Sequence, residues 1–130
     1  MDTSAYYAIL NPKDAWHRDA IAIISGMAVQ RANLFTTNFV IAEAHALALR
    51  RMGRNTALTL LTQIDSSSTT VVRVEIEDEL RAREIITSYV DKNFSLVDAT
   101  CFAVMERLDI PAAFTFDRNF VQYGLSVLRL

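Results

Sequence analysis

Apolar positions along this chain recur mostly at helical spacing, interrupted by short runs that read as strands. Residues 4–10 predict a short helix closed by Asn11-Pro12, because proline disfavours helical geometry in the residue before it. Residues 14–33 predict a longer helix, and residues 38–52 and 55–65 a helical pair broken at Gly53. Residues 75–92 predict a charged amphipathic helix, its acid-rich start Glu75-Ile76-Glu77-Asp78-Glu79 suiting a first turn, and residues 96–108 an apolar one. Residues 34–37, 70–74, 112–116 and 125–130 are the strand candidates, with a polar loop at 65–70. Short strands alternating with helices predict an α/β fold in which a small parallel sheet is covered on both faces. In such sheets the functional site lies beyond the carboxyl ends of the strands.

At 130 residues the chain is expected to form one domain spanning 1–130. With 52% apolar and 22% charged residues, disorder is excluded as a reading. Cys101 is the only cysteine, so there is no internal disulfide and no cysteine-based metal cluster, as a reduced cytoplasm permits. No basic stretch precedes an apolar one at the start, and no run is long enough to span a bilayer, so a cytoplasmic location without a signal peptide is expected. The net charge of -2 does not by itself mark a nucleic-acid binder. The cations are nonetheless almost all Arg, with only Lys13 and Lys92 besides. That bias fits bidentate phosphate contact and, equally, a GC-rich genome.

Four acids occupy positions where acids are scarce or where a turn would aim them into a site. Between Ala20 and Ile64 the sole carboxylate is Glu43, set by helical geometry between Phe39, Val40 and Leu47. A lone acid on an apolar face needs a cation, a donor or a metal, Arg50 or a cap being the ordinary partners. Asp98 stands three residues after Ser95 in an apolar helix, where it could complete a capping box. Asp117 directly follows the strand candidate ending at Phe116, and Asp2 precedes a short helix; either could be a simple cap. Each acid alone has an ordinary explanation. Three lie at turns into helices and one in an apolar helix, so turns sharing one sheet edge would bring the carboxylates together. Such a set needs a counter-charge. Hard oxygen ligands suit Mg²⁺ or Mn²⁺, ions that activate water for phosphodiester cleavage.

Asp2-Thr3-Ser4-Ala5, Thr37-Asn38-Phe39-Val40-Ile41-Ala42-Glu43, Ser95-Leu96-Val97-Asp98-Ala99-Thr100 and Thr115-Phe116-Asp117-Arg118-Asn119-Phe120 resemble, in order, the four acidic motifs of PIN-domain nucleases. The chain is most similar to VapC-type toxins of toxin–antitoxin pairs. The resemblance implies a three-layer α/β/α sandwich and Mg²⁺ or Mn²⁺ bound by Asp2, Glu43, Asp98 and Asp117. It further implies endonucleolytic cleavage of single-stranded or looped RNA, a homodimer and a cognate antitoxin. Thr3 and Thr115 carry over as residues that contact water or support the acids. Family members usually have an apolar strand before the first Asp, where this chain has Met1 alone. The expectation is a start upstream of Met1 or a truncated gene, with a gap in the pairing of the sheet and an Asp2 that frays.

Other readings compete. His17 is expected at the surface and His45 as a polar helix position, neither spaced with the acids as a zinc site would require. Trp16, Tyr6 and Tyr7 are expected to pack rather than stack on bases. A receiver-like signalling module would need a late Lys, and none follows Lys92. A PIN-type nuclease in RNA or DNA processing without an antitoxin remains open, whereas an inactive binding fold is disfavoured because all four acids remain.

Overall fold

In the computed structural model, which describes residues 1–130, the order is α1 (Thr3–Leu10), α2 (His17–Val29), β1 (Phe35–Thr37), α3 (Asn38–Met52), α4 (Arg54–Ser66), β2 (Thr70–Val72), α5 (Ile76–Ser88), α6 (Leu96–Arg107) and α7 (Arg118–Tyr123). β1 and β2 pair in parallel, Phe35 opposite Thr70 and Thr37 opposite Val72. A second parallel contact joins Ala113 to Val127. It is held by the Ala113 N–H on the Ser126 carbonyl and the Leu128 N–H on the Ala113 carbonyl, each 2.9 Å. The four strand candidates therefore all take part in parallel pairing, but the second pair is a single bridge.

Met1 and Asp2 lie between the two pairs. The Met1 amine donates to the Phe35 carbonyl at 2.7 Å, and the Asp2 N–H donates to the Phe114 carbonyl at 3.2 Å. The Thr36 hydroxyl donates to the Met1 carbonyl at 3.0 Å. An apolar cavity of about 70 Å³ lies among Met1, Phe35, Val104, Met105, Ala113 and Phe114. The expected fraying of Asp2 does not occur: these bonds and its burial pin it.

Ala113 and Phe114, successive in an extended segment, point to opposite faces. Ala113 joins the larger core with Val40, Leu60, Ile85, Phe102 and Phe120. Phe114 joins a smaller one with Ala5, Ala8, Ala20 and Ile23 from α1 and α2. Helices thus cover both sides of the sheet, the layered arrangement the alternation of elements predicts.

Three helix boundaries differ from expectation: the second helix ends at Val29, not residue 33, with Arg31 at a φ of 53°, and two others shift for local reasons. The second helix starts at His17, not Asp14, because the Asp14 carboxylate accepts the Trp16 N–H at 2.8 Å and forms a turn that competes with helix. The fifth ends at Ser88, not Lys92, because Tyr89 turns to meet Phe94 and Tyr123 at ring separations of 5.5 and 5.4 Å. Tyr123 also stacks on Phe102 at 4.4 Å, and Phe102 meets Phe120 edge-on at 5.0 Å. That aromatic cluster fastens α7 to α6 and so fixes the relative placement of Asp117 and Asp98. α3 and α4 divide at Gly53, whose φ of 89° and ψ of 174° belong to a region open to glycine alone. Gly53→Ala should cost about 1–2 kcal/mol from backbone strain, since open space surrounds the added methyl, and a urea titration reads it. An unchanged midpoint would mean the turn relaxes freely.

No helix is long and apolar enough to cross a membrane.

Candidate active site

Asp2, Glu43, Asp98 and Asp117 line one cleft of about 170 Å³, together with Thr3, Ser4, Val40, Leu47, Val97 and Cys101. Each acid reaches it through a backbone feature already visible in the sequence. Asp2 caps α1 by accepting the Ala5 N–H at 3.0 Å. Asp98 forms the predicted capping box with Ser95: the Ser95 hydroxyl accepts the Asp98 N–H at 3.0 Å and the Asp98 carboxylate accepts the Ser95 N–H at 3.2 Å. Asp117 caps α7 by accepting the Asn119 N–H at 2.9 Å. Capping and pointing into the cleft coincide, so the ordinary reading of these three acids and the functional one are both satisfied.

Glu43 departs from expectation. Helical geometry sets it beside Val40 and Leu47 as predicted, yet its side chain is exposed and makes neither an ion pair nor a hydrogen bond, to Arg50 or to anything else. It stands at the mouth of the cleft, not buried on an apolar face, so no desolvation cost has to be offset there.

Thr115 ties the site together. Its hydroxyl donates to Asp2 Oδ2 at 2.8 Å and accepts the Asp117 N–H at 2.9 Å. The Ser4 hydroxyl reaches both Asp2 carboxylate oxygens, at 2.8 and 3.0 Å, and accepts the Phe116 N–H at 2.9 Å. Asn119 donates from its side-chain amide to Asp98 Oδ2 at 3.0 Å. Ser4 and Asn119 lie inside the recognised motifs but carry no signal of their own in the sequence. A serine two residues after an Asp, or an asparagine two residues after one, usually completes a local turn.

Electrostatics follow from burial. Burial pushes the Asp2 carboxyl above its usual range, against the pull of its bonds from Ala5, Thr115 and Ser4. Burial likewise raises Asp98, opposed by the Asn119 and Ser95 bonds and reinforced by the charge on Asp117. The Cys101 thiol is raised far by burial and by the nearby Asp2 carboxylate, so it stays protonated and offers no thiolate ligand. The donor set is therefore carboxylate oxygen with hydroxyls behind it. No three of the chain's His, Cys, Asp and Glu side chains stand close enough to grip a metal directly. A hard ion that keeps several waters and takes only one or two carboxylates fits such an open set. Thr3 Oγ1, buried in the cleft wall without a hydrogen-bond partner, is a further polar atom such a water could meet. Thr115→Val keeps the side chain's shape and removes the bond on Asp2. Metal affinity, read by Mn²⁺ titration, should fall roughly tenfold or more, the usual effect of losing a group that orients a ligand. Unchanged affinity would show that Asp2 needs no such support.

The remaining candidates are structural. The His17 ring nitrogen bonds the Ala8 carbonyl at 2.7 Å, which makes it a helix-to-helix contact, not a free surface group. Trp16 stacks on Phe116 at 5.3 Å, Tyr6 is buried in the core, and Tyr7 lies beneath the Arg51 guanidinium at 5.5 Å.

A layered α/β fold with four acids around one cleft at the ends of its parallel strands is the architecture of a PIN domain. The PIN domain family matches residues 1–125, and the chain belongs to it. The chain is 32% identical over 129 residues to the 23S rRNA-specific endonuclease VapC20 of Mycobacterium tuberculosis, an alignment covering 99% of this chain and 96% of that protein. The same relative from a second strain of that organism matches equally. The crystal structure of Mycobacterium tuberculosis VapC20, described as a sarcin-ricin loop cleaving toxin, superposes with a TM-score of 0.88 at 30% identity, covering 99% of this chain and 97% of the other. Family membership makes the chain a nuclease, of a kind that generally works with divalent metal ions.

Proposed function

We propose that this chain is a Mg²⁺- or Mn²⁺-dependent endoribonuclease that cuts single-stranded or looped RNA as the toxin of a toxin–antitoxin pair. The observation that carries the proposal is one cleft walled by Asp2, Glu43, Asp98 and Asp117 in a chain that aligns almost end to end with an rRNA-specific endonuclease toxin.

The geometry supports a role for each acid. The Thr115 hydroxyl holds the Asp2 carboxylate and the Asp117 backbone, the Asn119 N–H holds the Asp117 carboxylate, and Ser95 and Asn119 hold that of Asp98, so these carboxylates are preorganised and lose little freedom when an ion or phosphate arrives. Glu43, free at the cleft mouth, is the group able to accept a proton from water attacking a phosphodiester. A bound divalent ion would lower the pKa of that water and offset the charge of the phosphate. Such an ion would also stabilise the ionised form of Asp2 and Asp98, whose carboxyls burial raises.

Cytoplasmic RNA is the proposed substrate, and a small antitoxin the proposed partner that occludes the cleft. A homodimer is proposed with contributions from α1 and the α3–α4 pair, where Leu49 and Leu58 remain about half exposed. The test is a panel of defined RNAs, a sarcin–ricin-type loop among them, incubated with purified protein in Mn²⁺, Mg²⁺ or EDTA. Cleavage at one preferred site only with metal is the expected outcome. Activity confined to DNA would move the chain to the processing class.

A further inference from the structure

Beside the acidic cleft lies a second concavity of about 280 Å³, lined by Asp91, Lys92, Asn93, Arg118, Asn119 and Gln122, with no apolar residue among them. Asn119 of this concavity joins it to two acids of the cleft: its side-chain amide donates to Asp98 and its backbone N–H donates to Asp117. Arg118 directly follows Asp117, is exposed, and has no carboxylate partner among the chain's four ion pairs. Lys92 is paired with Asp91 at 2.8 Å, an exposed contact that a phosphate can displace at little cost.

We propose that this polar shelf holds the backbone phosphate next to the scissile one, Arg118 as the principal contact and Lys92, Asn93 and Gln122 around it, and so fixes which phosphodiester enters the acidic cleft. The inference rests on the ribonuclease reading and deepens it. Guanidinium, ammonium and side-chain amides are the groups that grip sugar–phosphate backbone and set register without reading sequence. A protein partner is the weaker fit, because the core of a protein interface is apolar and this surface has no apolar residue. Asn119 supplies the register: it lines the shelf beside Arg118 and is bonded to both Asp98 and Asp117 of the acidic cleft. Net charge leaves the protein little general attraction for RNA, so a local cationic shelf must supply a large share of it.

The experiment is binding of a short fluorescent single-stranded oligoribonucleotide in EDTA, where cleavage is off, across a salt series. Wild type is compared with Arg118→Ala, with Arg118→Ala/Lys92→Ala, and with the charge-matched control Arg18→Ala/Arg83→Ala, whose exposed cations lie elsewhere and form no ion pair. The shelf predicts roughly tenfold weaker binding by the double variant and a salt slope reduced by ~0.7, the value for one single-strand phosphate no longer neutralised. Arg118→Ala alone should account for at least half of the slope change, and the control should move neither quantity. Equal weakening in the double variant and the control would overturn the shelf in favour of diffuse charge. So would no weakening in either, and in both cases cutting by wild type would leave the ribonuclease reading standing. Weakened antitoxin binding with RNA binding intact would assign the shelf to a protein and overturn it too. Failure of wild type both to bind and to cut RNA would overturn the two readings together.

Discussion

Asp98→Asn is expected to end RNA cleavage, by roughly a thousandfold or more, while leaving the fold at least as stable as wild type. Asn keeps the size and most of the capping geometry, so the bond from the Ser95 N–H can persist and the helix should change by only a few tenths of a kcal/mol. What disappears is negative charge. Burial raises the Asp98 carboxyl above its usual range, so its ionised form opposes folding as pH rises through that raised value. Removing the charge relieves that cost, and the variant should melt at the same temperature or slightly higher at neutral pH. Were Asp98 only a cap, the variant would melt normally and still cut. A variant that melts normally, binds RNA and does not cut even at raised Mn²⁺ marks Asp98 as a ligand.

The largest expected effect on stability lies away from the cleft. Arg107 grips the buried Asp78 with two bonds of 2.8 Å, tying the first turn of α5 to the last turn of α6. Asp78 also completes the capping box of α5 by accepting the Glu75 N–H at 2.9 Å. Arg107→Ala would leave that carboxylate buried and unpaired. Removing one partner of a fully buried pair costs more, but Arg107 is partly open to water, so about 2–3 kcal/mol is expected, roughly a 10 °C fall in Tm. The pH dependence identifies the cause. The Arg107 hydrogen bonds hold Asp78 below the usual carboxylate range, so the pair's contribution is fully present above about pH 4 and fades as pH falls through the depressed value. The gap in Tm between wild type and variant should be widest near neutrality and narrow in acid. A gap independent of pH would assign the effect to packing of the Arg107 stem.

Much of this architecture is legible in the sequence because local signals agree. Asn11-Pro12, Gly53 and the Ser95…Asp98 spacing each mark a helix end, and the structure turns at all three. The four acids are legible because three sit where capping and the sheet edge coincide, and Glu43 because nothing else in that long stretch is acidic. What stays hidden depends on partners far apart in the chain. Asp78 reads as one more acid in a solvated first turn, and nothing in the sequence ties it to Arg107. Ser4 and Asn119 read as turn residues, since their bonds to Asp2 and Asp98 exist only once the strands bring the motifs together. The expected fraying of Asp2 fails for a related reason: a terminal residue frays unless it is tied down, and here carbonyls of two separate segments tie Met1 and Asp2.

If the four acids use a divalent ion to direct water at a phosphodiester, the cut ends carry the signature of that water. The most direct test is the chemistry of those ends in a reaction run in ¹⁸O-labelled water with Mn²⁺. The expected result is label in the product phosphate, no 2′,3′-cyclic phosphate at any time point, and no cleavage in EDTA. Cleavage should also continue when the 2′-hydroxyl at the cut site is replaced by hydrogen. A cyclic phosphate, or cleavage undiminished in EDTA, would contradict a metal-directed water.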